Sequence, residues 1–316
     1  MSEMSVAVVI PAKNAEETLE KAFASVLKQK IDEPLEICIA VAPSEDRTLE
    51  IAKRIELENN NVTLVENPTG ETPVGLNLAI RNTKSRVVVR LDAHAELNEK
   101  YISKALEIMG KTGAVNVGGQ QKPVGVTPFE KAVAIATSSR FGAGDAKFRI
   151  GGKAGEVDTV YLGVFDRNAI EDVGLFDESL IRNQDAELNW RLRESGKKIW
   201  FHPQLIANYK PRSTLKELAR QYFEYGMWRR RVVGVHPKSI KWRQVVPAIN
   251  AVVFFSSFVL GFFWSVLFVF PIFYVMITFC VTVIKSKSVR NFFLLLVIFP
   301  TIHFSWAAGF LKGVKT

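Results

Sequence analysis

The feature that most limits the fold is an alternation of apolar runs and helical patterns in the first third of the chain. Four runs have the β-branched content of buried strands: Val6–Ile10, Leu35–Val41, Val62–Val65 and Arg86–Leu91. Between them, apolar residues recur at helical spacing over 19–27, 49–57 and 73–80. This alternation predicts βαβ units and an α/β fold with a mainly parallel sheet flanked by helices. In such folds the ligand site lies at the carboxyl ends of the strands.

Each of the predicted strands is followed by a polar loop at that edge. The four loops are Pro11–Glu17, Pro43–Thr48, Asn67–Thr72 and Asp92–His94. Polar side chains on neighbouring loops are expected to converge on one site. Asn14 and Ser44 have an alternative role, since residues of both types commonly cap helices.

The fourth strand ends in Asp92, and His94 follows two positions later. A carboxylate and an imidazole at a strand end are side chains that bind divalent metals, so we expect a metal site here. An alternative for His94 is a loop histidine hydrogen-bonded to the backbone. His202, which precedes Pro203 at a predicted strand end, is a weaker candidate ligand.

The middle of the chain predicts a loop and then a helix. Glycines cluster between Gly118 and Val164, where we expect a mobile loop, and no glycine-rich phosphate motif is complete there. The segment 184–195 has a helical pattern that ends before Gly196 and carries Asp185 in its first turn. For an acidic residue at that position, the alternative to a catalytic role is that it complements the helix dipole.

The last part of the chain predicts a membrane region. No charged residue occurs from Val245 to Ile284, which is long enough for two crossings of ~20 residues in a hairpin near Pro271. Phe292–Leu311 is a third apolar segment that could cross the bilayer or lie at its surface. We therefore expect a cytoplasmic domain over 1–243 and a membrane region of two to three helices over 244–316.

The net charge of +9 is concentrated before this apolar region. The basic residues are Arg229, Arg230, Arg231, Lys238, Lys241 and Arg243. A basic cluster in this position indicates a flank that faces the cytoplasm and anionic lipid, and no nucleic-acid-binding motif accompanies it. We therefore expect no nucleic-acid partner. Cys38 and Cys280 show no disulfide spacing, which fits the cytoplasm.

Four motifs in order resemble those of the family 2 glycosyltransferases. They are the opening strand and loop Val9–Glu17, the metal motif Leu91–His94, the acceptor-side segment Val173–Glu178 and the pair Gln184–Asp185. The resemblance runs from about Val6 to Arg231 and is greatest to the membrane-attached enzymes of exopolysaccharide assembly, the succinoglycan ExoA group. It implies a GT-A fold, with C-terminal transmembrane helices after it.

The resemblance also implies roles for individual residues. Asp185 would be the catalytic base, and Asp92 with His94 would hold Mn2+ or Mg2+ on the diphosphate of a nucleotide sugar. The residues that would bind this donor are Pro11, Ala12, Asn14, Glu17, Asp46, Asp92 and Arg229. For Arg229, the alternative is the membrane-facing flank described above.

The chain departs from the family pattern in three places. Val41–Ala42 stand where many relatives carry two aspartates that read the base, so base specificity is open. His94 replaces the second aspartate of the metal motif. The Gln-x-x-Arg-Trp motif of processive synthases is absent, which favours transfer of a single sugar.

We therefore expect an inverting hexosyltransferase at the cytoplasmic membrane that uses a nucleotide-diphosphate sugar, with a UDP-linked sugar as the expected donor. The acceptor would be a membrane lipid or a lipid-linked saccharide. A polyprenyl-phosphate sugar synthase is an alternative within the fold, and a non-catalytic membrane scaffold is a more remote one.

Overall fold

The computed structural model describes residues 5–314, without the side chains of Trp242 and Arg243. The strands are β1 Val6–Ala12, β2 Leu35–Val41, β3 Val62–Glu66, β4 Val87–Arg90, β5 Ala95–Leu97, β6 Asn116–Pro123, β7 Gly155–Glu156, β8 Tyr161–Asp166 and β9 Ile199–Tyr209. The helices of the first two thirds are α1 Leu19–Leu27, α2 Thr48–Glu58, α3 Thr72–Arg81, α4 Tyr101–Thr112, α5 Pro128–Thr137, α6 Arg140–Ala143, α7 Lys147–Ile150, α8 Arg167–Asp172 and α9 Gln184–Glu194. The remaining helices are α10 Leu215–Val235, α11 Trp242–Leu260, α12 Val269–Lys285 and α13 Val289–Lys312, with short 3-10 turns at Pro237–Ser239 and Ser265–Phe268.

The chain packs as two compact units. The sheet unit contains residues up to 122 together with 147–209, and the helical unit contains 123–146 together with the chain from 210 onward. The predicted boundary at 243/244 concerns the membrane and stays a prediction, because packing divides the chain elsewhere.

The sheet unit is built on one mixed sheet with the strand order β3-β2-β1-β4-β8-β6-β9-β5, and β7 pairs with β9. The strands β3, β2, β1 and β4 are parallel. From β8 onward the described pairings are antiparallel. The predicted mixed sheet with flanking helices is confirmed, and the four parallel strands are those expected from the apolar runs.

Helices cover both faces of this sheet because side chains alternate along each strand. Val8 and Ile10 of β1 pack on one face with residues of α1, α2 and α4. Val9 of β1 and Cys38 of β2 pack on the other face with residues of α3, α8 and α9. Full burial of one such aliphatic side chain stabilises the fold by about 1.5–3 kcal/mol. Apolar burial therefore fixes where the strands end, and so where the loops after them lie.

The helical unit is assembled from α5, α6 and α10 to α13. The helices α10 and α13 lie so close that a Cβ at Gly226 would overlap the carbonyl oxygen of Trp306, and a Cβ at Gly309 that of Phe223. A small core forms where Leu218 and Tyr222 of α10 meet Phe299 of α13. Large apolar side chains of α11 and α12 are mostly exposed.

Two expectations about these regions need adjustment. The segment between Gly118 and Val164 is not one loop, because it contains β6, α5, α6, α7, β7 and most of β8. The turn expected near Pro271 lies earlier, between α11 and α12, and Pro271 sits in the first turn of α12, where a missing N–H is tolerated. Two helical segments in the described residues, Ser265–Lys285 and Val289–Lys312, are long and apolar enough to cross a membrane.

Candidate active site

Asp92 follows β4 and is bound by an arginine of the same strand. The guanidinium of Arg90 donates to Asp92 Oδ1 through Nε at 2.9 Å, and its Nη2 lies 2.8 Å from the same oxygen. The side chain of Arg90 is 5% exposed and that of Asp92 is 14% exposed. A buried ion pair of this kind is stable only because both partners are present.

Asp185 approaches the same guanidinium from α9. Arg90 Nη1 donates to Asp185 Oδ1, so one arginine contacts both carboxylates although 95 residues separate Arg90 from Asp185. The structure therefore brings together the two acidic residues that the sequence assigned to the metal and to the base.

Buried polar contacts fix α9 against the sheet. Asn189 accepts from Asn116 Nδ2 at 2.6 Å and donates to Thr159 at 2.9 Å. On the other side of the helix, Arg191 donates to Glu187 and to the carbonyl oxygen of Leu175. These contacts join α9 to β6 and to the segment before the helix, and so determine where Asp185 can lie.

The shared arginine affects the two carboxyl groups differently. Burial by itself would raise the pKa of Asp92, but the positive charge of Arg90, with His94 and two hydrogen-bonding N–H groups of Arg90, outweighs it and lowers the pKa. For Asp185, burial raises the pKa, and the charge of Arg90 opposes that rise only in part. Asp92 is thus held as a carboxylate, whereas Asp185 has a raised affinity for a proton.

The residues present fit a divalent ion that also contacts substrate phosphates. His94 is exposed beside Asp92, and the described residues contain no group of three acidic, histidine or cysteine side chains able to enclose a metal. Mg2+ sites of nucleotide enzymes typically use one or two carboxylates and complete their shell with phosphate and water. Asp92 meets this requirement, because it is ionised and both of its contacts with Arg90 use the same oxygen, Oδ1. His202 lies elsewhere, near Lys104 and Glu107 of α4.

The loop after β1 is bound to the loop after β2. Asn14 has a left-handed φ of 47°, and it donates through its N–H to Ser44 Oγ at 3.1 Å. Its side-chain oxygen accepts from the N–H of Glu45 at 3.0 Å. Asn14 therefore joins the two loops and does not simply cap α1.

Asp46 strengthens the same junction. Its Oδ2 accepts from the N–H of Glu16 at 3.0 Å, and its Oδ1 accepts from Thr48, through the N–H at 3.0 Å and the hydroxyl at 2.5 Å. Although burial opposes them, these hydrogen bonds lower the pKa of Asp46. Both oxygens are thus used to hold the loops, and a role for Asp46 in reading the base stays a prediction.

The other predicted donor-binding residues occupy different environments. Pro11 is partly buried and Ala12 is buried at the end of β1, whereas Glu17 is exposed. Arg229 belongs to the helical unit, where its buried guanidinium donates to the carbonyl oxygen and the hydroxyl of Ser239. Binding of the donor by these residues stays a prediction.

Sequence reasoning gave no role to Arg90, which contacts both carboxylates, or to Asn77. Phe176 belongs to the predicted acceptor-side segment, and its ring lies 5.9 Å from the guanidinium carbon of Arg90. Asn77 binds the backbone of Phe176 in both directions, at 2.8 and 3.0 Å. One signal was available: a charged residue at the end of an apolar strand is almost never buried unless it is paired.

Comparison with known sequences identifies relatives that match more than half of the chain. The profile of the family described as Glycosyl transferase family 2 matches residues 7–174. The succinoglycan biosynthesis protein ExoA of Rhizobium meliloti (strain 1021) is 30% identical over 259 residues, which cover 81% of this chain and 78% of ExoA.

Solved structures share the fold at low identity. S. aureus TarS 1-349 in complex with UDP has a TM-score of 0.51 at 13% identity, covering 98% of this chain and 92% of TarS 1-349. GalNAc-T7 with UDP, GalNAc and Mn2+ has a TM-score of 0.53 at 17% identity, covering 75% of this chain and 51% of GalNAc-T7. These similarities confirm the expected GT-A-like fold.

Proposed function

Because the chain belongs to Glycosyl transferase family 2, and is therefore a glycosyltransferase, we propose that it moves one sugar from a UDP-linked donor to a lipid or a lipid-linked glycan. The product would serve polysaccharide or glycoconjugate assembly, as the name of the ExoA relative suggests. The observation that supports the proposal is the buried Arg90 between Asp92 and Asp185, because it holds together the two carboxylates that are proposed to act on the donor and on the acceptor.

Asp185 is the proposed general base. Its raised pKa suits a group that must accept the proton of an acceptor hydroxyl as that hydroxyl attacks the anomeric carbon. Arg90 contacts Oδ1, which leaves Oδ2 to receive the proton. The new glycosidic bond forms as the bond to the diphosphate breaks, and this single displacement inverts the anomeric configuration.

Asp92 and His94 are the proposed ligands of Mn2+ or Mg2+ on the donor side. When bound, such an ion supplies positive charge that stabilises the departing diphosphate. GalNAc-T7, which shares the fold, was crystallised with UDP and Mn2+, and this supports a donor of the same class. The joined loops after β1 and β2 provide a preformed edge for the nucleotide, with Pro11, Ala12, Asn14 and Glu17 along it.

The acceptor is proposed to lie in a membrane. The two apolar helical segments 265–285 and 289–312 are long enough to span a bilayer. Basic residues precede α11 at 229–243 and follow α12 at Lys285, Lys287 and Arg290, and both groups would face the cytoplasm if α11 and α12 cross the bilayer as a hairpin. A lipid-linked acceptor would then reach the enzyme without leaving the bilayer.

A donor panel tests this function. Membranes containing the full chain would be given radiolabelled UDP- and GDP-sugars together with native lipid extract, with and without EDTA. We expect metal-dependent labelling of the lipid fraction by a UDP-sugar. Transfer that persists in EDTA would contradict the proposed metal requirement. If the protein neither binds nor transfers from any of the donors, the result would support the scaffold alternative.

A further inference from the structure

We propose that Arg90 is a positioning residue that fixes the base Asp185 relative to the donor-side Asp92, an inference that rests on the proposed function. A buried guanidinium is costly unless its N–H groups are satisfied, and in the described structure the ion pairs of Arg90 are those to these two carboxylates. The arginine thus joins a strand of the parallel sheet to the helix that carries the base.

The strand end that carries Arg90 is rigid. Arg90 is paired with Val9 of β1 in the parallel register, and the next N–H, that of Leu91, donates to the carbonyl oxygen of Val9 at 3.0 Å. The ring of Phe176 lies over the guanidinium at 5.9 Å. Because the guanidinium is planar and is fixed by β4 and by this ring, the two carboxylates that it binds are held in a defined position relative to β4.

The start of α9 needs such a restraint. Asn183, directly before the helix, has a left-handed φ of 62°, a conformation that a residue with a Cβ adopts at a cost. Asp185 lies in the first helical turn, two residues later. Contacts of Glu187, Asn189 and Arg191 fix the helix around the base, and in the described structure the carboxylate of Asp185 itself is held by Arg90.

A shift in the position of the base should lower the rate of transfer more than it lowers the affinity for the donor. A displacement of ~1 Å in a reacting group can cost about 10²-fold in rate. Lysine at position 90 would keep a positive charge beside Asp92 on the same strand, but a single ammonium group cannot hold both carboxylates as the guanidinium does. Arg90→Lys therefore separates the charge of residue 90 from its geometry.

The matched control is Arg86→Lys. Arg86 precedes β4 at its other end and forms an exposed ion pair with Asp166 at 2.5 Å. The same exchange there removes a guanidinium–carboxylate contact of the same sheet without touching the site.

The experiment compares wild type, Arg90→Lys and Arg86→Lys in membranes, with initial rates over a range of donor concentrations. For Arg90→Lys we expect kcat to fall about 10- to 100-fold. The KM for the donor, and the affinity for UDP with Mn2+ measured by calorimetry on purified protein, should change by less than about threefold, since Asp92 keeps its charged neighbour. Arg86→Lys should match wild type.

A double variant shows whether Arg90 acts through Asp185. In an Asp185→Asn background, Arg90→Lys should lower the residual rate by less than about twofold, because residues acting as a unit are not additive. The inference would be overturned if Arg90→Lys kept the wild-type kcat and only lowered Tm, or if it changed only the KM for the donor. It would also be overturned if the effects of Arg90→Lys and Asp185→Asn on the rate were fully additive. A wild-type protein that transfers no sugar would instead contradict the proposed function.

Discussion

The two units differ in the exposure of their large apolar side chains. In the sheet unit, Ile10, Ile39 and Leu91 are completely buried, whereas in the helical unit Phe262, Phe263 and Trp264 are 73%, 76% and 62% exposed. Soluble proteins rarely expose apolar patches of this extent unless a partner or a membrane covers them. The sheet unit is therefore stabilised by excluding water from its own core, and the helical unit is suited to a surrounding that is itself apolar.

Buried charge also distinguishes the units. The sheet unit buries Arg90 between two carboxylates at the edge where the donor is proposed to bind. The helical unit buries Glu130 at the start of α5, where it forms a capping box with Thr127. The first arrangement is proposed to support sugar transfer, whereas the second completes backbone hydrogen bonds. Substitutions in the two units should consequently affect different measurements.

The largest expected effect is on activity without loss of fold, from Asp185→Asn. Asparagine keeps the shape of the side chain and can still accept from Arg90, but it cannot take the proton of the acceptor. We expect transfer to fall about 10²- to 10⁴-fold, while Tm and UDP affinity stay close to wild type. Initial rates with radiolabelled donor measure the loss. Turnover near the wild-type rate would exclude Asp185 as the base.

The parallel half of the sheet and the two acidic residues of the site could be predicted from the sequence, because apolar runs and polar loops are local features. The strands β1 to β4, and the positions of Asp92 and Asp185 at the sheet edge and helix start, follow from such patterns. The bridge through Arg90 could not be predicted, since it joins residues 95 positions apart and depends on where α9 crosses the sheet.

The antiparallel half shows the same limit. The order β8-β6-β9-β5 depends on how later strands return to the sheet, and local periodicity does not encode that order. The use of both Asp46 oxygens by Glu16 and Thr48 is likewise a contact between two loops that only the folded chain brings together. Composition alone did locate the apolar helices, because exclusion of charge is visible in any window of the sequence.

In the helical unit, Gly309→Leu should damage stability and leave the chemistry of each folded molecule intact. A side chain at Gly309 would overlap the backbone of Phe223 and force α13 away from α10. Overpacking of this kind costs about 1–3 kcal/mol. The matched control is Ala308→Leu, at an exposed position of the same helix.

Thermal unfolding of both variants in detergent measures this effect. We expect Gly309→Leu to lower Tm by several degrees while Ala308→Leu leaves it near the wild-type value. Equal Tm values for the two variants would show that close approach of α10 and α13 does not stabilise the unit.

A smaller, pH-dependent effect is expected from Glu130→Gln. Glu130 accepts from the N–H groups of Val126 and Thr127, at 2.8 and 3.0 Å, and from Ser213 Oγ at 2.9 Å. The hydrogen bond from the Thr127 N–H, with the others, lowers the pKa of Glu130 below its ordinary value of 4.5, although burial opposes this. A lowered folded-state pKa means that the carboxylate stabilises the fold above pH 4.5 and loses that contribution as the pH falls through the folded value.

Unfolding of wild type and Glu130→Gln should therefore differ by about 1 kcal/mol at pH 7 and converge at acidic pH. Glu217→Gln is the control, because Glu217 lies in the similar Thr214–Glu217 helix start but is exposed. A difference that grows as the pH falls below 4.5 would contradict the assignment of the cap.

The smallest expected effect concerns the two thiols, which should both resist a charged thiosulfonate reagent in native membranes, for opposite reasons. Cys38 is buried in β2, and burial, with nearby Glu36 and Glu56, raises its pKa to about 12, so little thiolate forms. Cys280 has an exposed side chain on α12, which the proposed bilayer would cover. Mass spectrometry of Cys38→Ala and Cys280→Ala, before and after SDS denaturation, assigns any modification to one thiol. Rapid modification of Cys280 in intact membranes would place α12 in water and remove the proposed lipid surroundings of the helical unit, whereas modification of Cys38 would show that the sheet opens.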